Sequence, residues 1–86
     1  MSLRLHTEVV TADTPEGTVL LQMNTGRYWQ LNPTGAGILH RLLEGRTPTA
    51  IGRELADRHR IGADQAERDV TAVIGQLRSA GLVVPA

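Results

Sequence analysis

Apolar and polar positions alternate loosely along "LRLHTEVVTA", residues 3 to 12, where β-branched side chains are frequent, and the pattern predicts a first strand. Pro15 and Gly17 in "DTPEGT" interrupt it, one fixing φ and the other freeing it, so the chain turns back. The run "VLLQM" has strand length, and "NTG" supplies Asn24 and Gly26 for the positive φ of a tight hairpin into "RYWQL". From Asn32 the period changes to that of a helix. Asn32 and Pro33 suit the N-cap and first turn, Ile38, Leu39, Leu42 and Leu43 share one face, and Gly45 offers a left-handed stop. Thr47 and Pro48 repeat the start signal for a second helix, with Ile51 and Leu55 on its apolar face and Gly62 as its stop. Asp64 and Glu67 resemble a capping box opening a third helix, striped by Ala66, Val70, Val73, Ile74 and Leu77 and closed by Gly81. The final "LVVP" suits either a short terminal strand or a segment that packs down.

Strands grouped before helices predict an α+β fold: a three-stranded antiparallel sheet followed by three helices that cover one of its faces. The second and third helices, joined by a short turn, give it a winged helix-turn-helix-like outline. The 86 residues are expected to form one domain, 1–86, without repeats or linkers. A chain of this size buries only about 60 to 65% of its unfolded surface, so function is expected on the surface and not in a deep pocket.

Charge and composition then remove whole classes of function. Nine basic residues, all arginine, balance nine acidic ones, so no global field draws the chain to nucleic acid or to an anionic bilayer. There is no cysteine, hence no disulfide framework or thiolate metal site. Without a signal peptide or a run of about 18 apolar residues, the chain is expected to be cytoplasmic, with no membrane partner. His6, His40 and His59 fall on separate elements without metal-ligand spacing, so neither metal nor cofactor is expected. Ser2 and Ser79 lack the strand-to-helix turn of a nucleophile, and no catalytic residue stands out. The helix-turn-helix outline raises duplex DNA binding as an alternative. Against it, "ADQAERD" would set Asp64, Glu67 and Asp69 beside the phosphates with only Arg68 to offset them.

The only tyrosine and the only tryptophan, Tyr28 and Trp29, stand side by side on "RYWQL" in a chain without phenylalanine. Alternation points one ring toward the helices and the other away from them. Two readings follow. Either both rings merely seal the sheet, or the strand is an edge that receives an extended peptide, with Asp69, Val73 and Gln76 along helix three forming the far wall of a groove.

The ordered set "VLLQMNTGRYWQLNPTGAGIL", "LLEGRTPTAIGREL" and "DVTAVIGQLRSAGLV" resembles the PqqD-like family, also called RiPP recognition elements, over nearly the whole chain. Gly26, Tyr28, Leu31, Asn32, Gly35, Ile38, Gly45, Asp69, Val70, Leu77, Gly81 and Leu82 carry the likeness together. "TGRYWQLNPTG" looks most like the stand-alone members of lasso peptide gene clusters, with the pyrroloquinoline-quinone branch second. The resemblance implies a non-catalytic protein that binds the leader of a ribosomally made precursor peptide. The leader would add as a strand beside the third strand and against helix three. Carried over residue by residue, the leader-binding positions are Arg27, Tyr28, Trp29, Gln30 and Leu31 with Arg68, Asp69, Val73 and Gln76. The implied partners are the precursor leader peptide, a leader peptidase and an asparagine-synthetase-like cyclase.

Overall fold

The computed structural model describes residues 3–86. Its elements run β1 (Leu3–Leu5), β2 (Val9–Thr14), β3 (Gly17–Gln22), β4 (Arg27–Leu31), α1 (Pro33–Leu43), α2 (Pro48–His59), α3 (Ala63–Ser79) and β5 (Val83–Pro85). The expected three-stranded antiparallel sheet is β2-β3-β4, and the three helices follow it, so the α+β reading holds. The first alternating stretch, however, is two strands and not one. The His6 carbonyl accepts from the Val9 N–H at 3.0 Å and its Nδ1 accepts from the Glu8 N–H at 3.0 Å, which kinks the chain between them. β1 consequently leaves the main sheet and pairs with β5, Leu3 opposite Pro85 and Leu5 opposite Val83. The terminal "LVVP" thus includes a strand, and its partner is the N-terminal segment.

The helix starts at Asn32 and Thr47 behave as local chemistry requires. Asn32 Oδ1 accepts from the Gly35 N–H at 2.8 Å and Thr47 Oγ1 from the Ala50 N–H at 3.1 Å, each followed by a proline that has no N–H to lose. Two boundary expectations change. α2 stops at Arg60, whose φ of 53° is left-handed, and Gly62 serves as the N-cap of α3 with no side-chain bond. Asp64 is already inside the first turn of α3, where its charge complements the helix dipole but cannot close a capping box.

The core lies between the sheet and the helices. Leu20 from β3, Ile38 and Leu39 from α1, Ile51 and Leu55 from α2, and Ala66, Val70 and Leu77 from α3 meet Leu3, Leu82 and Val83 there. α2 is held to α1 by an ion-pair clamp: Arg41 Nη2 donates to Glu54 Oε1 at 3.0 Å, and Arg46 Nη1 donates to Glu54 Oε2 at 2.6 Å. The hydrogen bond from Arg41 is the main reason the Glu54 carboxyl titrates below its ordinary value, and it raises Arg41 in turn. Gly17 fixes how the first hairpin meets the end of β4. Its φ is +138°, and a Cβ there would fall 1.8 Å from the Leu31 carbonyl oxygen, so only glycine lets the two strand ends approach.

Candidate functional site

β4 pairs with β3 on one side and with no strand on the other among the described residues. Which of its backbone groups face that open side follows from the parity of the ladder. The Met23 N–H bonds to the Glu8 carbonyl at 2.8 Å, so odd-numbered residues of β3 turn their polar groups toward β2, and the Gln22 carbonyl accepts instead from the Gly26 N–H at 2.9 Å on the β4 side. Antiparallel pairs alternate between bonded and non-bonded. With Leu20 opposite Trp29 and Thr18 opposite Leu31, those two residues of β4 bond inward, while the Arg27 N–H at the strand's start donates to Thr25 Oγ1 at 3.2 Å. Tyr28 and Gln30, opposite Leu21 and Val19, therefore direct their N–H and C=O groups outward. The edge offers two donors and two acceptors, and β4 carries no proline that would blunt it.

Side chains alternate in the perpendicular direction. Trp29 and Leu31 stand over the inner face, half-buried against the core, on the same side as buried Leu20 and Thr18. Tyr28, 71% exposed, and Gln30 stand on the outer face. The question left open by the sequence is settled: the indole seals the core and the phenol does not.

α3 packs on α1, α2 and β5 and leaves a groove beside β4. Two concavities occupy it end to end. One, of about 660 Å³, lies between Arg27, Tyr28 and Trp29 on the strand and Gln76, Ser79 and Ala80 on the helix. The other, of about 340 Å³, lies between Asn32, Thr34, Gly35 and Ile38 at the start of α1 and Asp69, Ala72, Val73 and Gln76. Gln76 borders both, which makes them one channel with α3 antiparallel to β4. From Asp69 to Ala80 the helix rises about 16 Å, and five extended residues span about 17 Å, so the walls match in length.

Of the residues singled out in the sequence, the structure brings Arg27, Tyr28, Trp29, Asp69, Val73 and Gln76 to this channel. Gln30 and Leu31 line neither concavity; Gln30 turns its backbone groups to the open edge, and Leu31 turns its own toward β3. Arg68 points elsewhere. It borders a neighbouring depression with Asp64, Glu67, Thr71 and Ala72, of which Ala72 also lines the channel, and donates to Gln65 Oε1 at 3.0 Å. Asp69 accepts from Gln65 Nε2 at 2.9 Å, which steadies the carboxylate at the channel rim. Asn32, Thr34, Gly35, Ile38, Ala72, Ser79 and Ala80 also line it and are not among the positions the sequence predicts for leader binding. The i+3 and i+4 spacing from Gln76 would have found Ser79 and Ala80. Among the described residues no group of three or more His, Cys, Asp or Glu side chains is placed to hold a metal, and no helix is long and apolar enough to cross a membrane.

The arrangement defines an α+β protein with an unpaired sheet edge facing a helix across a strand-length channel of mixed polar and apolar lining, an architecture suited to binding extended polypeptide by strand addition. The family described as coenzyme PQQ synthesis protein D (PqqD) matches residues 17–83, and the chain belongs to it. Two solved structures are similar over nearly the whole chain. One is lasso peptide synthetase B1 complexed with the leader peptide, at 38% identity and a TM-score of 0.93, covering 99% of this chain and 100% of that one. The other is TbiB1 in complex with the TbiA(beta) leader peptide, at 28% identity and a TM-score of 0.83, covering 93% of each chain. A comparison with curated protein sequences finds no match.

Proposed function

We propose that this chain is a non-catalytic leader-recognition protein of lasso peptide biosynthesis, a single cytoplasmic domain that binds the leader of a precursor peptide along β4 and α3. The observation that carries the reading is the outward polarity of Tyr28 and Gln30 on an edge that faces the channel. The fold is shared with two proteins solved with leader peptides, and the match to one of them, at 38% identity, covers 99% of this chain and so more than residues 17–83, which favours the lasso branch over quinone biosynthesis.

The energetics divide between backbone and side chains. Ordering a disordered leader costs about 2–5 kcal/mol. Four edge hydrogen bonds at about 0.5–1.5 kcal/mol each roughly offset that cost. Net affinity then comes from apolar leader side chains entering the channel over Val73 and beside Trp29, at about 1.5–3 kcal/mol for each one fully buried. Arg27 at one end and Asp69 at the other set register and direction through charge. The chain would then present the precursor to a leader peptidase and to an asparagine-synthetase-like cyclase, raising the local concentration of the core peptide at each. Titrating synthetic leader peptides of lasso precursors, the TbiA(beta) leader among them, while following Trp29 fluorescence, tests the reading. Saturable binding with a shift in indole emission is expected, and no binding at high micromolar leader would overturn it.

A further inference from the structure

At the start of α1 the channel adjoins a second, smaller concavity. Its volume is about 170 Å³, and it lies between α1 and α2, bounded by Thr34, Gly37 and Arg41 on one helix and by Leu55, Arg58 and His59 on the other. Thr34 borders this concavity and the channel alike, so a chain that leaves the channel at its Leu31 end runs past the mouth. The lining is cationic, and no carboxylate belongs to it. Three arginines converge on Glu54 nearby: Arg41 and Arg46 pair with its carboxylate, and Arg58 acts on it through charge alone. Arg41 also donates from Nη1 to the Gly37 carbonyl at 3.0 Å, which leaves it fixed and only 15% exposed. Arg58 and His59 are exposed and bonded to nothing among the described residues. Two solvated cations in the last turn of a helix are ordinary by themselves. These two differ in lining a hollow that opens beside a peptide channel.

The other wall of the channel carries the opposite sign. Beyond Ala72, the depression on α3 sets Asp64 and Glu67 against Arg68, and Asp69 stands at the channel rim. An anionic side chain at this end is therefore repelled from α3 and drawn toward α1 and α2. The concavity has the volume of about five or six waters at roughly 30 Å³ each, enough for one carboxylate side chain with its hydration and too small for a helix or strand. We infer that this pocket receives the carboxylate of one aspartate or glutamate of the bound leader, just outside the segment paired with Tyr28 and Gln30, on the Leu31 side. The Arg58 guanidinium fork matches a carboxylate with two charge-assisted bonds, and the His59 imidazole adds a donor. The contact specifies register, which the backbone alone does not. Sliding the leader by two residues, about 6.8 Å, restores every edge hydrogen bond but carries the acid out of the pocket.

The inference rests on the proposed function, and the experiment separates the two. The lasso leaders of the fluorescence titration, the TbiA(beta) leader among them, are displayed as libraries varied one position at a time. They are sorted on the wild-type chain, on Arg58→Ala and on Arg58→Glu, after thermal melts establish that each variant folds. The expected result is one position outside the paired segment where the wild type prefers Asp or Glu over Asn or Gln by about three- to tenfold. Arg58→Ala should abolish that preference, and Arg58→Glu should turn it toward Lys or Arg. A wild-type chain that binds leader with no such position, or a preference unchanged in both variants, overturns this inference alone. A wild-type preference for Lys or Arg there assigns the position to the acidic depression on α3 and overturns it equally. Failure of the wild-type chain to bind any of the leaders overturns the proposed function and this inference together.

Discussion

Proline at position 30 removes one backbone donor from the open edge and nothing from the β3 ladder. Gln30 and Val19 are a non-bonded pair, so the lost N–H is one that points away from the sheet. The Gln30 side chain is exposed, and its removal leaves no cavity. In the complex, one leader carbonyl loses its partner. The missing bond costs about 0.5–1.5 kcal/mol, and a carbonyl left unsatisfied in the channel costs about 1–3 kcal/mol. Taken as one loss of about 1–3 kcal/mol, at 1.4 kcal/mol per tenfold, Gln30→Pro should weaken leader binding roughly 5- to 150-fold. The assay is a Trp29 fluorescence titration, with circular dichroism and a thermal melt to confirm the fold. Trp29→Pro is the control. Read by circular dichroism and the melt, it removes both an inward donor from the pair with Leu20 and the indole packed on the core, and should destabilise the sheet itself. A folded Gln30→Pro variant with leader affinity within twofold of wild type would refute strand addition at this edge.

Three other expectations concern the groove, the hairpin and the clamp. Val73→Glu sets a carboxylate into the half-buried wall of the channel beside Asp69, and calorimetric titration of the folded variant should show leader binding weakened tenfold or more, with a lower melting temperature because Val73 also packs against the core. Gly17→Ala should cost about 2–4 kcal/mol in urea unfolding, because the added methyl meets the Leu31 carbonyl and the positive φ is strained. Glu54 titrates lower in the folded chain than its ordinary value of 4.5. Its stabilising contribution is therefore complete above about that pH and is lost as pH falls through the lower folded value, and Glu54→Gln should flatten the acid limb of a stability-versus-pH profile. An acid limb unchanged by that substitution would assign the loss to other carboxyls.

What the sequence made legible was what local bonds decide. Asn32-Pro33 and Thr47-Pro48 announce their helices because each cap is closed by a bond three residues away. The hairpin into β4 is legible for the same reason, since Gly26 takes the positive φ its spacing requires. The division of residues 3 to 12 was not legible, because β1 departs to pair with a strand at the opposite end of the chain. Nor was the choice between Tyr28 and Trp29, which depends on cross-strand register: Leu20 opposite Trp29 turns the indole inward. Arg68 and Asp69 show the limit on a helix, where one residue of rotation, about 100°, sends one side chain to the channel and its neighbour to another depression.

Amide hydrogen exchange at single-residue resolution, with and without leader peptide, tests strand addition most directly. In the free chain, Trp29 and Leu31 should exchange slowly as inward donors, and Tyr28 and Gln30 should exchange quickly. Saturating leader should slow Tyr28 and Gln30 by tenfold or more while leaving the protection of Trp29 and Leu31 largely unchanged. Leader bound at saturation with Tyr28 and Gln30 still exchanging at their free rates would contradict the account.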